Sequence, residues 1–318
     1  MALMSYADAA VRALAREMEA DRNVVVLGED VGRGGIFAQY KGLQQQFGTQ
    51  RVIDTPISEA AILGAGVGMA LAGLRPVVEM RVVDFALCAM DEMVNQAAKN
   101  RYMFGGQGRV PMVVRMPIGI WDASAAQHSQ SFESWFAHLP GVVVVCPGTP
   151  QDNYSMLRAA LACGDPVVYM EHKTLWGQTG EVDESHEVVL GQARTVRSGE
   201  HLTMVSWSRQ VDLCEQACAQ LAEQGISVEL IDLRSIWPWD RDAVLQSCAR
   251  TGRLLVVHEA IQAAGFGAEI AATAAEHSAC KVRRLGAPRI PVGCAPVLEA
   301  QSRIDADAVV AAVHAILR

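Results

Sequence analysis

Residues 54–68 read DTPISEAAILGAGVG, which predicts a helix over 58–72 with Ser58 as N-cap and Glu59 in the first turn. The helix dipole favours an acid there. The residues that follow, AAILGAG at 60–66, are apolar or small and offer Glu59 no charge partner. A carboxylate so placed resists ionisation, and a raised pKa suits proton exchange near neutral pH. Two readings stand on the local sequence: a helix-start acid and a proton-exchanging one. The glycines of the run invite a nucleotide reading, which fails. Gly64-Ala65-Gly66-Val67-Gly68 is G-x-G-x-G rather than G-x-G-x-x-G, and it lies inside the helix. Small residues there suit close helix packing. Gly265-Phe266-Gly267 fails in the same way, and no G-x-x-x-x-G-K-[ST] occurs.

Outward from this helix, short apolar strands alternate with helices. Strands are expected at 24–27, 75–80, 111–115, 142–146 and 166–170, with helices at 84–103 and 150–162. The VVVVC run at 142–146 reads as a central strand by its continuous apolarity. A polar connector over 176–200 then interrupts the pattern, which restarts. Strands at 201–206, 227–231, 253–258 and 281–285 alternate with helices at 209–224, 241–250 and 266–277, and Asp305 starts a last helix at 305–317. This is an α/β chain with a mainly parallel sheet. Its expected domains are 1–185 and 201–318, joined by a linker at 186–200.

Composition narrows the function classes. The 318 residues suit two domains of ~100–200 residues each, and a hydrophobic content of 51% can fill sizeable cores. A net charge of −8 without a basic stripe argues against nucleic acid as a partner. The N-terminal MALMSYADAAVRALAREMEADRN reads as an amphipathic helix of mixed charge, without the apolar core of a signal peptide. No apolar run approaches the ~20 residues of a membrane span. The eight cysteines are scattered with no C-x-x-C, as expected of reduced, mostly buried thiols in a cytoplasmic protein.

Among histidines, His128 in QHSQS at 127–131 sits in a polar loop after the 111–115 strand. Imidazole is the usual group for proton transfer near pH 7, although a loop histidine can simply bond its neighbours. No G-x-S-x-G supports acyl transfer by a serine, and no H-E-x-x-H supports a metal. His138, His172, His258 and His314 fall within regular patterns and read as structural. Phe85, at the start of the 84–103 helix, reads as core or as a wall for a stacked ring.

Taken together, several segments carry one resemblance: GEDVG at 28–32, RVIDTPISEAAILGAGVGMALAG at 51–73, RPVVE at 75–79 and NQAAKNRYMFGG at 95–106. AQHSQSFESWFAHLPG at 126–141, IDLRSIWPWD at 231–240, GRLLVVHEA at 252–260 and GFGAEI at 265–270 continue it. The chain resembles the β subunit of the thiamine-diphosphate-dependent decarboxylase component of 2-oxo acid dehydrogenase complexes, over almost its whole length.

The resemblance implies a pyrimidine-binding domain followed by a transketolase-type C-terminal domain. It also implies an α2β2 enzyme whose α subunit binds the diphosphate and Mg²⁺ through a G-D-G…N segment. Here Gly164-Asp165 continues into Pro166, so this chain holds half a site. Glu59 then takes the role of the carboxyl bonded to the pyrimidine ring nitrogen, which favours the imino tautomer that removes the thiazolium proton. Phe85 takes the place of the aromatic residue on the pyrimidine face. Glu29 matches an acid near the cofactor. His128 matches the histidine that orients the substrate carboxylate or assists acyl transfer to the lipoamide of an acyltransferase core. Family members also hold a structural K⁺ on loop carbonyls, which leave no side-chain signal.

The loop before His128, often glycine-rich in relatives, reads PIGIWDAS at 117–124. Trp121 adds bulk and Asp122 a negative charge, which disfavours an acidic substrate such as 2-oxoglutarate. Glu171-His172-Lys173 looks closest to acetoin dehydrogenases, with pyruvate and branched-chain 2-oxo acids left open. Two other classes stay open: a non-catalytic β-like scaffold, and a self-sufficient transketolase-like enzyme.

Overall fold

In the computed structural model, which describes residues 1–318, the helix expected at 58–72 runs from Glu59 to Leu71. Its glycines serve different ends. A Cβ on Gly66 would lie 2.6 Å from Val78 Cγ2 and 2.8 Å from Met112 Sδ, whereas one on Gly68 would meet nothing. Gly66 lets the helix lie close on the sheet. Gly66→Ala is therefore expected to destabilise the fold by ~1–3 kcal/mol through overpacking. Gly68→Ala should be neutral or stabilising, since alanine is the better helix former. Parallel urea unfolding of the two variants measures the difference.

One compact unit comprises Met1–Ile118 and Trp135–Leu190. In chain order it carries β1 (Ala2–Ser5), α1 (Tyr6–Ala20), β2 (Val24–Gly28), α2 (Leu43–Phe47), β3 (Val52–Asp54), α3 (Glu59–Leu71) and β4 (Arg75–Glu79). There follow α4 (Asn100–Met103), β5 (Val113–Arg115), α5 (Glu133–Ala137) where the chain re-enters, β6 (Val143–Val145), α6 (Pro150–Ala162), β7 (Val167–Tyr169) and β8 (Thr179–Val182). Its main strands lie in the order β6-β7-β5-β4-β2-β3 with every pairing parallel. Strand valines pack with the alanine-rich face of α1 and with Leu157 and Leu161 of α6. Ser5 and Thr149 cap those two helices by accepting from Asp8 N and Asp152 N.

The second unit comprises Gly119–Ser134 and Gly191–Arg318. It carries β9 (Arg194–Arg197), β10 (Leu202–Ser206), α7 (Gln210–Glu223), β11 (Val228–Asp232), β12 (Ser235–Trp237) and α8 (Arg241–Thr251). β13 (Arg253–Ile261), α9 (Gly267–His277), β14 (Lys281–Ala287), α10 (Pro296–Ala300) and α11 (Ala306–Leu317) complete it. The sheet runs β14-β13-β10-β11-β9, parallel except for β9. Asp305 caps α11 by accepting from Ala308 N. No helix is long and apolar enough to cross a membrane.

The structure departs from the sequence reading in several places, and Ala2–Ser5, read as part of the N-terminal helix, is the strand β1. The stretch 186–200 is not only a linker: β9 pairs antiparallel with β11, because its Arg-Thr-Val-Arg alternation suits a half-covered edge. The stretch Gly119–Ser134 clusters with the second unit, although it falls within the expected first domain. The helix expected at 84–103 breaks into a 3-10 turn (Phe85–Ala89), a π-helical stretch (Glu92–Ala97) and α4. Asn100 Nδ2 donates to Gln96 O at 2.6 Å, so a side chain takes the carbonyl that a continuous helix gives to the backbone. Finally, β6 lies away from the middle of its sheet, which β5 and β4 hold. Continuous apolarity reports cover on both faces, not position in the order.

Candidate active site

β2 is wholly buried and ends at Gly28, where a Cβ would lie 2.7 Å from Glu79 Cβ, so only glycine permits the approach to β4. The next residue, Glu29, is 8% exposed, and Asp30 turns the chain with φ 59°. Arg81, also at φ 59°, lies 3.5 Å from both Glu29 Oε2 and Asp30 Oδ2. Burial, and next the charge of Glu59, push the Glu29 carboxyl above its ordinary range, while the Arg81 guanidinium pulls it back. Glu29 and Glu59 are thus electrostatic neighbours, although they lie 30 positions apart in the chain.

Glu59 is half-buried in the first turn of α3. Ser58 holds the N-cap position but its side chain makes no capping bond, and Ile57 is exposed. The open start of α3 therefore keeps unpaired backbone N–H groups beside a carboxylate. The 3-10 turn carrying the half-buried Phe85 packs against α3. On the approach to α3, Thr55 Oγ1 is buried and lacks a hydrogen-bond partner. The start of α3 thus offers a carboxyl and an unsatisfied hydroxyl, and the helix packs against a turn that carries an aromatic ring.

A second group of polar residues under this sheet was missed from the sequence. Arg115, at the end of β5, forms a two-pronged ion pair with Glu171 at 2.8 and 2.7 Å, both side chains fully buried. The Arg115 guanidinium lies 4.7 Å from the Tyr40 ring centroid, and Tyr40 donates to Glu79 Oε2 at 2.6 Å. Burial, opposed mainly by Arg115, pushes Glu79 up to about 7. Glu79 Oε1 accepts from Arg81 N at 2.9 Å, which fixes the turn that aims Arg81 at Glu29. The available signal was a charge closing an apolar strand, in MVVR and in VVYME. Glu171-His172-Lys173, read as a substrate hint, is buried with Glu171 committed to Arg115.

His128 belongs to the second unit, whereas Glu29, Glu59 and Phe85 belong to the first. It ends a single 3-10 turn (Ala126–His128), and its side chain is exposed, as are Trp121 and Asp122 upstream. In the same unit Glu133 is buried and accepts from Trp207 Nε1 at 3.1 Å; burial holds its carboxyl above the ordinary range. His258, expected to be structural, is fully buried and stacks on Trp207 at 5.3 Å. Burial pushes it down to about 4, so it stays neutral near pH 7. No group of three or more His, Cys, Asp or Glu side chains is placed to hold a metal ion.

Two family models cover the chain: "Transketolase, pyrimidine binding domain" matches residues 2–178 and "Transketolase, C-terminal domain" matches 191–309. The 2-oxoisovalerate dehydrogenase subunit beta of Bacillus subtilis is 39% identical over 99% of this chain and 98% of that protein. The acetoin:2,6-dichlorophenolindophenol oxidoreductase subunit beta of Cupriavidus necator is 40% identical over 90% and 89%. The mitochondrial pyruvate dehydrogenase E1 component subunit beta-1 of Arabidopsis thaliana is 40% identical over 93% and 84%. A solved split-gene transketolase, described as an inactive beta4 tetramer, shares the fold with a TM-score of 0.82 at 19% identity, over 99% of this chain and 98% of that one.

Proposed function

This chain belongs to the β subunits of the pyruvate, 2-oxoisovalerate and acetoin dehydrogenase family, built on the transketolase pyrimidine-binding and C-terminal domains, and from that premise we propose that it is the pyrimidine-holding half of a thiamine-diphosphate enzyme. Its substrate is acetoin or a 2-oxo acid such as pyruvate, and its acyl product passes to the lipoamide of an acyltransferase core. An α subunit in an α2β2 assembly holds the diphosphate and Mg²⁺, and a structural K⁺ on loop carbonyls belongs to the same proposal. The cytoplasm is its compartment, which the scattered cysteines suit.

The observation that carries this reading is the electrostatic influence of Glu59, in the first turn of α3, on the buried Glu29, which Arg81 approaches to 3.5 Å. Thiamine diphosphate, when bound, would supply a carbon nucleophile and a sink for an electron pair. Glu59 would present a carboxyl oxygen to the pyrimidine ring and hold or pass a proton there. Burial and the charge of Glu59 raise the Glu29 carboxyl above its ordinary range, and Arg81, 3.5 Å from Glu29, pulls it back. Phe85 gives the ring an apolar wall, which excludes water and strengthens the carboxyl bond.

Reconstitution tests the proposal. The chain is combined with an α chain that has the G-D-G…N segment, thiamine diphosphate and Mg²⁺, and assayed on acetoin, pyruvate and 2-oxoisovalerate with 2,6-dichlorophenolindophenol as electron acceptor. Turnover that needs both chains is expected; turnover of none of the three sinks the reading, and turnover by this chain alone revives the transketolase-like alternative. His128→Ala in that complex is expected to slow transfer to lipoamide by about 10²-fold, with much less effect on the dye-coupled rate. Equal loss in the two assays would remove His128 from acyl transfer.

A further inference from the structure

The loop that carries His128 adopts a backbone that its own sequence does not favour. Asp122, Ala123 and Ala125 have φ of 30°, 56° and 58°, in the left-handed region that residues with a Cβ avoid. Such conformations persist when the surroundings over-determine them. Bonds within the loop include Gly119 N to Gln130 O at 3.1 Å, Ser124 N to Trp121 O at 2.9 Å, Ser124 Oγ to Trp121 O, and a long His128 N to Ala125 O at 3.4 Å.

Further restraint comes from elsewhere in the second unit, chiefly from near the C-terminal end of the chain. Glu299, on α10 and 8% exposed, accepts from Ala123 N through Oε2 at 2.7 Å. Its other oxygen accepts from Arg303 Nη2 at 2.7 Å and Nε at 3.2 Å. Arg303 Nη2 also reaches Ile120 O at 3.4 Å. One ion pair therefore grips the loop at an N–H and at a C=O three residues apart, on either side of Trp121 and Asp122. Cys294 Sγ adds a contact to Ala123 O at 3.4 Å, and Glu259 Oε1 takes Ile120 N at 2.7 Å. Only a carboxylate fills the Glu299 position fully, since both its oxygens accept. A glutamine would keep an acceptor for Ala123 N but turn an NH₂ group towards Arg303, donor against donor.

We propose that Glu299, set by Arg303, is a positioning residue that holds the strained 120–125 loop in the shape that presents His128 for acyl transfer. The proposal rests on the function proposed above for His128. It predicts a graded series, wild type above Glu299→Gln above Glu299→Ala, because the glutamine retains the bond to Ala123 N.

The experiment uses the reconstituted α–β complex and two readouts. Amide hydrogen exchange over 119–128 is expected to speed up by about tenfold in Glu299→Ala and less in Glu299→Gln, with the strands of the second unit unchanged. Transfer to lipoamide is expected to fall by about tenfold in Glu299→Ala, since small misplacements of a reacting group carry costs of this order or more. Thiamine diphosphate affinity should stay within about twofold, because Glu299 bonds Ala123 and Arg303 and none of Glu29, Glu59 and Phe85. If Glu299→Ala does not assemble, the glutamine variant carries both readouts. Wild-type exchange over 119–128 in either variant overturns the proposal, as does a loss of transfer matched by an equal loss of cofactor affinity. A wild-type complex inactive on every substrate instead defeats the functional reading, and the exchange result then decides on the loop restraint by itself.

Discussion

Glu59→Gln is expected to lower turnover of the reconstituted complex by about 10³-fold while leaving assembly intact. Glutamine fills the same volume and can still lie beside a ring nitrogen, but it cannot share a proton with it at neutral pH. The stability effect should be small. Glu59 is half-buried, makes no ion pair, and contributes to α3 mainly through the helix dipole, worth ~0.3–1 kcal/mol. Removing its charge also removes a cause of the raised Glu29 pKa, so the variant separates the two acids experimentally. The measurement is dye-coupled turnover with saturating thiamine diphosphate, beside thermal unfolding of the same preparation. Wild-type turnover in a well-folded Glu59→Gln complex would end the assignment.

Arg115→Met is expected to destabilise the first unit by about 3–5 kcal/mol, the usual cost of leaving a buried charge without its partner. Glu171 then keeps Asn153 Nδ2 at 3.0 Å as a donor but loses both guanidinium bonds. Glu79 loses the main influence that lowers its pKa. Arg115→Met combined with Glu171→Met should recover most of the loss, because apolar side chains of similar length can replace a buried ion pair. Urea unfolding of both variants supplies the test. A double variant no more stable than the single one would mean that the cluster acts through packing rather than through its charges.

The two predictions fall on residues of different legibility. Glu59 was visible because a first-turn acid before an apolar helix is a local pattern, and the resemblance supplied its chemistry. Glu29 was visible only through the resemblance, and its electrostatic tie to Glu59 came from the structure. Arg115 and Glu171 are single charges at the ends of strands 56 positions apart, and nothing local pairs them. The same holds for Glu299 and Ala123, 176 positions apart. In the second unit β10, β11, β13, β14, α7, α8, α9 and α11 were foreseen to within a few residues at each end, since a restart of alternating apolar runs is also a local signal, whereas β12 and α10 were not. The short β3 and β9 were not foreseen, because three or four residues carry too little periodicity to register.

By itself, the sequence determined the α/β alternation, the helix that starts at Glu59, and the family. Each is written in neighbouring residues, through hydrogen-bond period, capping chemistry or motif. The tertiary structure alone decided that Glu29 and Glu59 share one electrostatic site, that Arg115 neutralises Glu171 within the core, and that the His128 loop belongs with the C-terminal unit. Those facts depend on which strands lie side by side. In a parallel sheet every crossover carries the chain past other elements, so residues that meet at the strand ends are far apart in the chain.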